Sequence, residues 1–263
     1  MGKALEILKK KREDKHALSG LFKNPENVFV VHYACESFAQ NQSPRITAIA
    51  VRNLANGQTK TFSFYLIADK MQIALNQLEQ HYNVIEKELL SEFFEFVRLH
   101  QKHKWLHWNM RDANYGFDAI GHRFEVLGGT PILPHESNII DLSRILISIY
   151  GVGYIEHPRL ENIIKLNDIT NKDFICGNEE PEAFRRKKFH RIDLSVLRKV
   201  DVLAGLAERA NNSSLKTKRY YREMYLVYPE ALVEFAKEHP LVSVIIGIVA
   251  FVGSICSIYA VWK

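Results

Sequence analysis

An α/β fold is what this 263-residue sequence predicts: a mixed sheet of three antiparallel strands followed by β-α-β, then a helical C-terminal part and one C-terminal transmembrane helix. Three observations carry that expectation. The first quarter of the chain holds short β-rich runs around an Asn56-Gly57 turn, the middle switches to a helical period, and the end holds a long run without charge. A period of two puts successive side chains on opposite faces of a strand, whereas apolar residues recurring at i, i+3 and i+4 share one face of a helix.

The elements follow in order. Residues 27–33 carry Val28, Phe29, Val30 and Val31. Residues 45–53 place Ile46, Ala48 and Ala50 on one face and Ile49 and Val51 on the other. Apolar residues on both faces suit a sheet covered on both sides. Both residues of Asn56-Gly57 tolerate positive φ, which predicts a hairpin turn, and residues 59–65 return as the third strand with Phe62 and Phe64. Ile85, Leu89, Phe93 and Val97, flanked by Leu90 and Phe94, form the core stripe of a helix. Residues 104–108 read as a fourth strand, and Asn114 as the N-cap of a helix that Gly128-Gly129 ends. Residues 138–142 are a fifth strand feeding a helical run to Tyr150, and the remainder is mostly helical, including 194–210.

The bulk composition is that of a globular protein, with 47% hydrophobic and 25% charged residues and a formal net charge of +5. It excludes wholesale disorder and collagen-like repeats. Cys35, Cys176 and Cys256 are odd in number and far apart, with no Cys-x-x-Cys pair, so neither a disulfide framework nor a zinc knuckle is expected. The Lys-rich start lacks the apolar core of a secretory signal. Residues 241–262 are 22 residues without a charge, following Pro240 and carrying Tyr259 and Trp262 near the far end. That length suffices for a hydrocarbon core of about 30 Å. Lys216, Lys218, Arg219, Arg222 and Lys237 on the near side predict a single-pass tail anchor with the main domain in the cytoplasm. Ser243 and Gly247, then Gly253 and Ser257, repeat at four-residue spacing, which would permit self-association of that helix. Four regions result: a basic N-terminal helix over 1–24, the α/β domain over 25–212, a basic juxtamembrane connector over 213–240 and the membrane helix over 241–262.

Three short motifs bear on chemistry. His32-Tyr33-Ala34-Cys35-Glu36 ends the first strand, Asn114-Tyr115-Gly116-Phe117-Asp118 opens the helix after the fourth, and Asp201 lies on the closing helix. With the element order, these resemble the ribonuclease H-like fold, specifically the DEDD-type 3′–5′ exonuclease superfamily, over about residues 27–210. The resemblance implies two divalent cations, Mg2+ or Mn2+, held by four carboxylates that activate water and stabilise the leaving oxygen. It assigns metal and catalytic roles to Glu36, Asp118 and Asp201. Asp112, in the extra segment before the second motif, competes with Asp118 for one of them. Two departures mark a degenerate site: Ala34 stands where the first motif has its Asp, and Val196 and Leu197 stand where the family has its general base. His190 lies eleven residues before Asp201, outside that spacing.

Arg185, Arg186, Lys187 and Lys188 form one basic cluster and Lys218 and Arg219, beside Tyr220 and Tyr221, another. Cations neutralise phosphates and aromatic rings stack on unpaired bases, so both are candidates for nucleic acid, nucleotide or anionic lipid. The Trp105–Met110 run is a binding surface if exposed and ordinary packing if buried. No phosphate-binding Gly-rich loop, Gly-x-Ser-x-Gly elbow or His-Glu-x-x-His is present. Two function classes follow: a membrane-anchored cytoplasmic domain that acts on or binds nucleic acid, as a metal-dependent nuclease if catalytic, and a non-catalytic membrane-tethered interaction or sensor protein.

Overall fold

The computed structural model describes residues 2–36, 43–112, 115–177 and 179–218, with short pieces at 229–231, 233–235, 248–249, 251–255 and 257. Helix α1 (Lys3–Leu21) precedes strands β1 (Val28–Cys35), β2 (Ile46–Asn53) and β3 (Thr59–Ser63). Helices α2 (Phe64–Lys70) and α3 (Leu78–Leu99) lead to β4 (Lys104–His107), a small hairpin of β5 (Arg111–Asp112) and β6 (Tyr115–Gly116), and α4 (Phe117–Val126). Strand β7 (Ile139–Asp141) follows, then α5 (Leu142–Tyr150), α6 (Arg159–Leu166), α7 (Glu180–Arg185) and α8 (Phe189–Asn211).

The main sheet has five strands in the order β3-β2-β1-β4-β7. Strands β1, β2 and β3 are antiparallel neighbours, while β4 pairs parallel to β1 and β7 parallel to β4. The expected mixed sheet is therefore present. The β2–β3 turn closes at Gly57, with φ +73°, and a Cβ there would lie 2.6 Å from the Arg52 guanidinium. The positive φ of the turn is what favours glycine there, since the Arg52 guanidinium is the mobile end of a long side chain.

Alternation along the strands sets the two faces. Phe29 of β1 packs on Phe96 of α3 at 5.2 Å between ring centroids, and Phe62 of β3 meets Phe93 of α3 at 5.6 Å. Their neighbours in the opposite phase turn to α8: Ser63 Oγ donates to Asp193 Oδ2 at 2.8 Å. One face is covered by α3 and the other by α8, which explains why all eight residues of β1 are buried. On the α3 side, Phe117 of α4 stacks on Phe93 at 6.4 Å and Phe124 on Phe94 at 5.2 Å. Each fully buried Phe of this layer contributes about 1.5–3 kcal/mol relative to exposure.

The N-terminal helix joins the main core through Leu18 and Leu21 at its C-terminal end. It packs against α5. Residues 64–65, expected in the third strand, instead open α2. The Ser63 hydroxyl accepts from the Leu66 amide at 3.3 Å and caps that helix.

The C-terminal expectation is corrected. Among the described residues no helix is long and apolar enough to cross a membrane. A crossing needs about 20 continuous apolar residues in one helix. Within 241–262 the longest described stretch is 251–255, helical and exposed, and most of the remainder lies outside the described residues. The transmembrane helix, the tail anchor and the single-pass placement with a cytoplasmic main domain are not supported. Ser243 and Gly247 lie outside the described residues, and the Ser257 hydroxyl donates to the Gly253 carbonyl at 2.9 Å.

Candidate functional site

In an open α/β sheet, ligands bind outside the carboxyl ends of the parallel strands. Here β4 and β7 end in register at His107 and Asp141. A groove of about 1460 Å³ opens there, lined by α1, the start of α4 and α5. Lys3, Lys10, Lys11 and Arg144 bring positive charge to it, on the α1 and α5 walls, and Glu6, Asp14, Asp118, Glu136 and Asp141 bring negative charge. Lys10 is paired with Asp14 at 3.0 Å, one helical turn on.

Asp141 caps α5. Its carboxylate accepts from the Ser143 amide at 2.9 Å, the Ser143 hydroxyl at 2.7 Å and the Asn109 amide at 3.1 Å. Burial pushes the Asp141 carboxyl up, but the charge of His107 and these hydrogen bonds outweigh it and hold it below its usual range. The Met110 amide donates to His107 Nδ1 at 3.1 Å.

Close to His107 lies a buried polar centre. Burial first, then Lys199 and His107, hold the His32 imidazole well below its usual range, so His32 is neutral at physiological pH. Its Nδ1 has no hydrogen-bond partner among the described residues. Lys199 of α8 donates to Glu180 of α7, and both are almost fully buried. Tyr115 stacks on Tyr33 at 4.6 Å between ring centroids, and its hydroxyl donates to the Tyr33 carbonyl at 3.4 Å.

The residues named by the exonuclease resemblance have separate partners. Glu36 takes the Arg45 guanidinium at 2.5 Å and the Arg45 amide at 3.1 Å. Arg45 in turn neighbours Glu86 at 3.7 Å, and Glu86 is held by Arg123 at 2.6 and 2.8 Å. Asp118 is exposed in the first turn of α4 and lines the groove. Asp201 points away from the α8 core stripe and pairs with Arg52, at the far end of β2, at 3.4 Å. The Asp112 side chain and Asn114 lie outside the described residues.

A pair of divalent cations does not fit this donor set. Ala34 has no ligand atom, Glu36 and Asp201 are each committed to an arginine, and Lys199 sets a positive charge beside His32. Among the described residues no three His, Cys, Asp or Glu side chains come together to hold an ion.

The basic clusters differ in their neighbours. Arg185 and Arg186 share Glu182, each at 2.5 Å, and Lys187 reaches Glu79 at 2.9 Å. Lys188 is exposed just before α8. Lys218 pairs with Glu156 at 3.3 Å, while Arg219, Tyr220 and Tyr221 lie outside the described residues. Trp105 and Met110 are buried, so that run is packing, with His107 reaching the groove.

Sequence reasoning missed Asp141, Arg144, Glu180 and Lys199. Two signals were available. Asp141-Leu142-Ser143 follows the last strand as an N-cap, and Lys199 interrupts the apolar stripe of Ile192, Val196, Val200 and Leu203. A search against protein-family models, curated proteins and solved structures returned no match.

Proposed function

We propose that this chain is a ribonuclease H-like domain with a degenerate centre that binds single-stranded nucleic acid without cutting it. The observation that carries the reading is the groove at the carboxyl ends of β4 and β7 together with what lies beside it. The strand order supports the fold assignment, with an antiparallel β1-β2-β3 unit flanked by two parallel strands. The buried Lys199–Glu180 pair and the arginine-bound Glu36 and Asp201 support loss of metal chemistry.

Lys3, Lys10, Lys11 and Arg144 supply the phosphate contacts in this reading, and affinity falls with salt as counterions return to the strand. The Lys10–Asp14 pair is exposed on the lysine side, so it opens at little cost when a phosphate replaces the carboxylate.

The test is fluorescence anisotropy of the full chain with a labelled strand of about twenty nucleotides in EDTA, at about 50 and about 200 mM salt. Binding that weakens with salt, and a strand left intact after incubation with Mg2+ or Mn2+, are expected. Cleavage that Glu36→Ala or Asp201→Ala abolishes would restore the nuclease. Absence of binding at the lower salt sinks the proposal.

A further inference from the structure

A second surface, away from the groove, combines exposed rings with uncompensated positive charge. It is built by the docking of α2 on α8. Phe64 stacks on Phe189 at 5.9 Å with the rings 16° from parallel, and both are buried. The Ser63–Asp193 hydrogen bond pins the same junction. The residues that follow, Tyr65 and His190, are thereby turned outward side by side, with ring centroids 5.7 Å apart. Tyr65 is 43% exposed, and Leu66 and Met71 on the same short helix are exposed as well.

The turn between α7 and α8 carries cations beside these rings. The Lys187 amide donates to the Phe184 carbonyl at 2.8 Å and the Lys188 amide to the Ala183 carbonyl at 2.9 Å. Lys187 itself sits at φ 55°, in the left-handed region. This closed turn holds Arg185, Arg186, Lys187 and Lys188 in solvent, and Arg191 adds a fifth cation on the first turn of α8. Their acidic partners are Glu182 and Glu79. Lys188 and Arg191 have no ion pair among the described residues.

We infer that the Tyr65–His190 pair and the basic α7–α8 turn form a stacking platform for unpaired bases, with Lys188 and Arg191 on the adjoining phosphates. The inference rests on the proposed binding of single-stranded nucleic acid and adds to the groove a second surface that the same strand contacts. Base–aromatic stacking accepts any base, because every base has a π-face, and it requires a strand whose bases are not already paired. The buried Phe64–Phe189 stack fixes the rings before the ligand arrives, so little ordering cost falls on binding.

The experiment uses the full chain and the same labelled strand, oligo(dT) or oligo(U), with Tyr65→Ala, Tyr65→Trp, His190→Ala and the double variant Lys188→Glu/Arg191→Glu. Circular dichroism melts check that each variant folds; all four changes are at exposed positions. Tyr65→Ala is expected to weaken binding about tenfold, as for one lost stacked base, and Tyr65→Trp to bind as the wild type does. The double variant is expected to flatten the slope of log K against log salt by about 1.4, as for two lost phosphate contacts on a single strand. Wild-type binding that these variants leave unchanged, while Lys10→Glu/Arg144→Glu weakens it, overturns the platform and keeps the proposed function. If the wild type binds neither strand, both fall together.

Discussion

The Lys199 ammonium and the Glu180 carboxylate face each other with side chains only 4% and 2% exposed, across the junction of α7 and α8. Burial pushes the Glu180 carboxyl up and Lys199 draws it back, so the two depend on one another. Such a pair adds little net stability over apolar residues of the same volume, but removing one partner strands the other charge. Lys199→Met is expected to lose about 3–5 kcal/mol, and Lys199→Met/Glu180→Leu to regain most of it. Urea melts of both variants measure the difference; a double variant no better than the single one would refute the account.

A second buried acid gives the protein a pH dependence. Burial raises the Asp193 carboxyl to about 7, against which the Ser63 hydroxyl bond acts only in part. A folded-state value above the unfolded one means that stability is fully present below about pH 4 and is lost as the pH rises through 7. Asp193→Asn keeps an acceptor for Ser63 and removes the charge. Its stability is expected to be flat between pH 5 and 8 where the wild type declines, by a difference on the order of 2–3 kcal/mol. Parallel declines in the two proteins would assign the titration elsewhere.

Glu86 is fully buried between two arginines and also accepts from the Ile46 amide at 2.7 Å. It ties α3 to α4 and to the start of β2. Glu86→Gln leaves Arg123 without its charged partner and is expected to cost about 3 kcal/mol or more. An exposed pair made by the same helix, Glu92 with Lys70 of α2, is expected to matter far less when removed. Thermal denaturation of Glu86→Gln and Glu92→Gln side by side tests the ordering.

Divalent cations are expected to leave the melting temperature unchanged. A folded-state site filled at about 100 times its dissociation constant would add about 2.7 kcal/mol, which is several degrees for a chain of this size. Calorimetric scans in EDTA, Mg2+ and Mn2+ read this directly. A rise that Glu36→Ala abolishes would return Glu36 to a metal role.

Glu234 places Oε2 within 2.9 Å of the Ala4 amide and 3.0 Å of the Leu5 amide, capping α1 from the other end of the sequence. A Cβ on Gly2 would stand 2.2 Å from that carboxylate. Glu234→Ala and Gly2→Val are both expected to fray the first turns of α1, at about 0.5–1 kcal/mol for the lost charge–dipole contact. Faster amide exchange over residues 4–8, with the rest of the chain unaffected, is the expected signature.

The sheet was legible because β1 and most of β2 are apolar on both faces and Asn56-Gly57 fixes the hairpin. Short range was enough for those elements. Residues 64–65 were misread because Phe64 and Tyr65 fit a strand as well as a helix, and only the Ser63 cap decides between them. The candidate site was harder to read. Asp201 and Lys199 are two residues apart on α8, and the motif pointed to the first. The stripe of Ile192, Val196, Val200 and Leu203 turns Lys199 inward and Asp201 to solvent. Glu36 finds Arg45 and Lys199 finds Glu180 across the fold, and no local pattern announces either pairing.

The central place of β1 also governs how the chain must be made. Its hairpin partner β2 leaves the ribosome soon after it, but its parallel partner β4 arrives only when α3 has been synthesised. Until then a strand that is buried along its whole length in the finished fold carries one row of unpaired amides and carbonyls, the template on which a neighbouring chain can add. Translation that pauses between α3 and β4 is thus the moment at which this protein is most exposed to aggregation and most in need of a chaperone.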